Sequence, residues 1–194
     1  MITIENINKV IEKIRNENTK EYIGISINGD RGLNVKTSKF GGVPYIAQDA
    51  QAPVDAEGNQ LALLAQINCT ELPENDIYPK EGLLQFWISR DDSFGLDSKG
   101  TNVVKYIKDI DDNITNGDVL SKYHLPSEDN DEEYSPFHEK DASFSLTFNK
   151  GTSTITATDF LFEDIVKDAI RELFPDEQVA DLYEDLDSEV YETL

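Results

Sequence analysis

The residues of this chain that could do chemistry lie between Ser38 and Asp141. Ser38-Lys39-Phe40-Gly41-Gly42-Val43-Pro44-Tyr45 holds two adjacent glycines, whose amides can cradle an anion. No helix pattern or Lys-Ser/Thr pair follows them, so a structural turn explains them better than a phosphate loop. Gln66, Asn68 and Gln85 interrupt otherwise apolar runs. A buried amide must find partners, and most such amides staple neighbouring backbone rather than touch a ligand. Asp91, Asp92 and Asp97 fall within seven residues, yet the alternating oxygen ligands and distal Glu of a calcium loop are missing. His138-Glu139 with Asp141, or Glu132-Glu133, could ligate a metal, but no His-x-x-x-His spacing supports it.

The search for catalysis ends without a marked class. There is no Gly-x-Ser-x-Gly elbow, no Walker sequence and no Gly-x-Gly-x-x-Gly. His124 and His138 are the two imidazoles available as bases, and Cys69 closes an apolar run where a thiol is usually inert. No catalytic residue, metal ligand or cofactor is therefore assigned. If the chain binds a small molecule, the expected pocket is lined by Gly41, Gly42, Gln66, Asn68, Gln85, Asp91 and Asp92.

These residues need elements to position them. Residues 61–69 and 83–88 are dense apolar runs bounded by turn residues, which reads as two interior strands joined by a proline-marked loop. Ile4, Ile7, Val10, Ile11 and Ile14 recur at three- and four-residue steps behind Thr3, predicting a capped amphipathic helix to about Lys20. Residues 22–27 alternate as a half-buried strand, and Gly29-Asp30 turns the chain into a second short strand around 33–37. Gly58-Asn59 suits a tight turn before the first core strand, and residues 102–110 read as a further strand.

Residues 111–141 are dominated by Asp, Glu, Asn, Ser and Pro and read as a long surface loop. Beyond it, Phe144, Leu146 and Phe148, then Ile155 after Lys150-Gly151, predict a hairpin over 142–158. A helix capped by Thr158 or Asp159 runs to Pro175, and a last helix from Asp176 aligns Val179, Leu182, Tyr183, Leu186 and Val190. The expected architecture is one α+β domain over 1–194, with a largely antiparallel, multi-stranded β core, an N-terminal helix and two C-terminal helices.

Charge narrows the partners. The chain of 194 residues carries 17 basic and 39 acidic residues, a formal charge of -22. Residues 1–107 hold 15 acids and 11 bases, whereas residues 108–194 hold 24 acids and 6 bases. Such a surface repels phosphate backbones and anionic lipid, so neither nucleic acid nor membrane is expected. A basic protein would be attracted. A single cysteine forbids an internal disulfide, and no signal-peptide or membrane-spanning run is seen, which suits a cytoplasmic setting.

One stretch is similar to a known family. Ser38 to Tyr45, then Leu63-Leu64-Ala65-Gln66-Ile67-Asn68-Cys69, Glu71-Leu72-Pro73, Gly82-Leu83-Leu84-Gln85-Phe86-Trp87-Ile88, Asp91-Asp92 and Phe94-Gly95-Leu96-Asp97 resemble, in order and spacing, the YwqG-like family of bacterial proteins of unassigned function. The resemblance covers residues 38–97 and implies an α+β fold, a bacterial cytoplasmic protein and, from relatives near toxin systems, an immunity or interaction role. Family members continue into a second β segment that is missing here, which leads to the expectation that the last helix packs against a second copy as a homodimer. The leading functional expectation is a non-enzymatic acidic module that binds a basic protein.

Overall fold

A computed structural model describes residues 2–29, 33–97 and 101–193. Its strands form one six-stranded antiparallel sheet in the order β1-β6-β2-β3-β4-β5, with β1 at Lys20–Asn28, β2 at Lys39–Gly41, β3 at Ala62–Asn68, β4 at Leu83–Ile88, β5 at Val103–Ile107 and β6 at Ser143–Ser153. Helices are α1 at Ile4–Asn18, α2 at Asn116–Leu120, α3 at Phe162–Leu173, α4 at Leu182–Asp185 and α5 at Ser188–Tyr191. The chain is α+β, as its pattern predicts.

The chain divides into two compact units, Met1–Tyr22 with Lys150–Leu194 and Ile23–Asn149. In the first, α1 starts where Thr3 accepts a hydrogen bond from the Asn6 amide, and it buries Ile7, Val10 and Ile14. These meet Val166, Ala169 and Ile170 of α3 and Val179, Leu182, Leu186 and Val190 of the C-terminal segment in one apolar cluster. Four residues of that segment's apolar stripe are thus buried inside their own unit, while Tyr183, expected on the same stripe, is exposed. The stripe does not form the single helix expected from Asp176: Asp181 caps α4 and the chain turns again before α5.

In the second unit, the core gathers Leu61, Leu63, Leu83 and Trp87 from β3, β4 and their flanks with Val35, Tyr45, Val119 and Tyr123. The two Leu-rich runs are the interior strands that their composition predicts, and β3 pairs with β4 from Ala62 opposite Ile88 to Asn68 opposite Leu83.

Five local expectations are corrected. Residues 33–37 form a turn rather than a strand, and the strand here is β2, built from the Lys39-Phe40-Gly41 part of the glycine loop between β3 and β6. The turn read at Gly29-Asp30 extends outside the described residues. The 111–141 loop contains α2, which Thr115 and Asp118 start with a reciprocal capping box. Lys150-Gly151 is no hairpin turn, since β6 runs straight through it, and Gly151 lies where a Cβ would sit 2.6 Å from the Tyr22 ring. Finally, β1 is mostly exposed rather than half-buried, and Leu161, not Thr158 or Asp159, stands at the start of α3.

Candidate functional site

Gln66 and Gln85 face each other across β3 and β4 and are fully buried. Both side-chain N–H groups of Gln66 donate to backbone, to the Val35 carbonyl at 2.6 Å and the Thr37 carbonyl at 3.1 Å. Its Oε1 accepts from the Tyr45 amide at 2.9 Å and from Gln85 Nε2 at 2.8 Å. Gln85 Nε2 also donates to the Tyr45 carbonyl at 2.7 Å, and Gln85 Oε1 accepts from Trp87 Nε1 at 3.2 Å. The pair therefore sews the 35–45 segment onto the sheet. Burial without these bonds would cost roughly 1 to 3 kcal/mol per group.

Asn68 does similar work at the end of β3. Its Oδ1 accepts from the Thr70 amide at 3.1 Å and its Nδ2 donates to the Lys36 carbonyl at 3.2 Å, which starts the short 3-10 turn Cys69–Glu71. Gly41 and Gly42 have φ of 63° and 69°, and a Cβ would lie 2.3 Å from the Ala142 carbonyl oxygen at the first and 2.6 Å from Ser143 Cβ at the second. Close passage of β6 explains both glycines. Gly42 also lines a cavity of about 180 Å³ with Leu33, Val43, Asn116 and Asp141.

Between these groups lies Lys39, which the motif contains but whose role its spacing does not reveal. It is completely buried, its Nζ donates to the Asn34 carbonyl at 2.7 Å, and burial pushes its ammonium down to about 7.

Asp91 stands apart from the amides, in a cleft of about 680 Å³ formed by residues 55–60, the end of β4 and residues 124–133. Its Oδ1 accepts from the Ser93 amide at 3.0 Å and the Gly95 amide at 2.9 Å. A hydrogen bond from the Ser89 hydroxyl, with those of the turn, keeps this carboxyl below its usual range. Asp92 is an exposed turn residue. The seven expected site residues are thus dispersed: the glycines and amides lie in or beside the sheet, and of the two aspartates only Asp91 lines this cleft.

The cleft is organised by Arg90. It is 7% exposed, its Nη1 donates to Glu133 Oε1 at 2.9 Å and its Nη2 to the His124 carbonyl at 2.7 Å. Its guanidinium carbon lies 5.4 Å from the centre of the Tyr123 ring, and Tyr123 packs edge-on against Trp87. Burial raises the Glu133 carboxyl, but the Ser127 amide at 2.9 Å, the Arg90 guanidinium and His124 outweigh it and hold the carboxyl low. Glu133 Oε1 also meets His124 Nε2 at 3.1 Å. A carboxylate that orients an imidazole is part of many proton relays; among the described residues this imidazole bonds Glu133 and no nucleophile.

The hairpin side of the cleft is held by hydrogen bonds. Asp55 accepts from the Glu57 and Asn59 amides at 3.0 and 2.7 Å, and Gln60 bridges to residues 122–124 through the Lys122 carbonyl and the His124 amide. The rim carries Asp55, Glu57, Asp91, Glu132 and Glu133 against one guanidinium, which is already paired. Its field favours a cation.

The sequence pattern presents His124 and Glu133 separately and does not single out Arg90. Its one signal was a basic residue directly after a buried strand and before two aspartates; its partner lies 43 positions away. Among the described residues no three His, Cys, Asp or Glu side chains come together to hold a metal ion, neither at His138-Glu139 with Asp141 nor at Glu132-Glu133.

Among the described residues no helix is long and apolar enough to cross a membrane. The family model described as a domain of unknown function, DUF1963, matches residues 38–193, which include both the amide-stapled sheet and the cleft. No curated protein matches the chain.

Proposed function

We propose that this chain, which belongs to the DUF1963 family of domains of unknown function, is a non-enzymatic recognition module that takes a basic segment of a protein partner into its acidic cleft. The observation that carries the reading is the imbalance of the cleft lining, five carboxylates against the paired Arg90. Glu57 and Glu132 are exposed on that lining, so they are the groups an incoming ammonium or guanidinium meets. The formal charge of -22 adds long-range attraction for such a partner and would speed encounter more than it would tighten the complex. The commitment of Gln66 and Gln85 to backbone favours this reading over a small-molecule pocket among the sheet amides.

The YwqG-like resemblance of residues 38–97 supports a finer version, a bacterial cytoplasmic protein acting as an immunity-like neutraliser. The test is calorimetric titration of a lysine-rich octapeptide into the full chain. Binding should weaken as salt rises, and Glu57→Gln with Glu132→Gln should weaken it roughly tenfold with the fold intact. Equal affinity in the folded double variant would overturn the proposal.

A further inference from the structure

β1 ends the strand order, so among the described residues one of its long edges has no neighbour in the sheet. Such an edge offers unpaired amides and carbonyls to another strand, and proteins usually guard it with a charge, a proline or a bulge. The opposite edge strand, β5, is guarded by Lys105 in the middle of its five residues. In β1 the charges stop after its first two residues, Lys20 and Glu21: the following Tyr22-Ile23-Gly24-Ile25-Ser26-Ile27-Asn28 contains neither charge nor proline in a chain that is 29% charged. Ile25 and Ile27 are 47% and 60% exposed. Alternation puts Ile23, Ile25 and Ile27 on one face, while Gly24 falls on the other, where a Cβ would come within 2.8 Å of the Asn149 side chain.

We propose that residues 23–27 of β1 pair antiparallel with the same residues of a second copy, across a two-fold axis at Ile25. The register singles out this occupant. With Ile25 opposite itself, Ile23 meets Ile27 in both directions and the six isoleucines form one continuous row; centring the axis on Gly24 would place Ile27 opposite Glu21, and centring it on Ser26 would place Ile23 opposite Gly29. Charge points the same way. A basic partner finds nothing to pair with on this segment, whereas two chains of -22 can approach only where the surface is uncharged. Five paired residues span about 17 Å, which places the contact at the small end of specific interfaces, so the dimer is reversible and concentration-dependent. Isologous pairing of this kind closes on itself and builds no filament.

Sedimentation velocity on the full chain tests it. Raising concentration should shift the protein toward twice its 21.9 kDa, and raising salt should increase the dimer by screening repulsion. That salt response is opposite to the one expected for a basic partner in the cleft, so either reading can fail alone. Ile25→Lys should abolish dimerisation with an unchanged circular dichroism spectrum. As a second readout, Ile25→Cys should give a disulfide-linked dimer under mild oxidation, because residues opposite one another in an antiparallel pair lie within disulfide reach; Val104→Cys on the β5 edge should not, and the native Cys69 is buried. A strict monomer at all concentrations, a dimer that survives in folded Ile25→Lys, or equal cross-linking at Ile25 and Val104 would overturn the proposal.

Discussion

Lys39→Met should make the protein more stable in neutral and acidic solution and flatten its response to alkali. The native lysine is fully buried with the Asn34 carbonyl at 2.7 Å, and its ammonium titrates near 7 instead of 10.5. A base whose folded pKa lies below its unfolded one binds its proton more weakly in the native state. Between about pH 7 and 10.5 the unfolded chain therefore holds a proton that the native chain has released, and stability rises with pH across that window. Below about 7 the whole penalty is present. Its size follows from the displacement, about 5 kcal/mol at roughly 1.4 kcal/mol per pKa unit. The methionine removes this and leaves the Asn34 carbonyl without its donor, which returns about 1 to 3 kcal/mol. The net expectation at pH 6 is a gain of about 2 to 4 kcal/mol, shrinking and then reversing by pH 10. Urea unfolding of both proteins at several pH values measures the difference. Equal slopes against pH in the two proteins, or destabilisation of Lys39→Met at pH 6, would refute the reasoning.

Gln66→Leu should lower stability by about 3 kcal/mol or more, because it strands the Tyr45 amide and the Val35 and Thr37 carbonyls together; a loss under about 1 kcal/mol in urea unfolding would mean that water reaches them. Glu133→Gln should cost about 3 kcal/mol, since it leaves the buried Arg90 guanidinium without its counter-charge. The Glu133 carboxyl is held below its usual range, so its contribution is present above the unfolded pKa and lost as pH falls through the lower, folded one. The native protein should accordingly approach the variant in stability in acid, and a gap that stays constant down to about pH 3 would count against the pair.

The interior of the sheet was legible because β3 and β4 are continuous apolar runs, and the interruptions at Gln66 and Gln85 already implied backbone partners. β2 was not legible. Three residues that include a lysine and a glycine become a central strand only because β3 and β6 flank them. The α2 signal was present, as Thr115 three residues before Asp118, but an acidic loop composition hid it. Gly151 was misread because a glycine that makes room for Tyr22 looks the same in sequence as one that makes a turn. Four of the five residues of the C-terminal stripe are buried, and the Asp181 cap that starts the first of its two short helices resembles the acids around it. The cleft was least legible, since Arg90, Glu133 and the 55–60 hairpin meet only through the fold.

The most direct measurement is the affinity of the lysine-rich octapeptide for the native chain and for Glu57→Gln with Glu132→Gln, taken at low and at high salt. A cleft that recognises a basic partner gives tighter binding at low salt and a roughly tenfold loss in the double variant. Binding that depends on salt but ignores both substitutions would place the interaction elsewhere on the acidic surface and contradict the cleft as the recognition site.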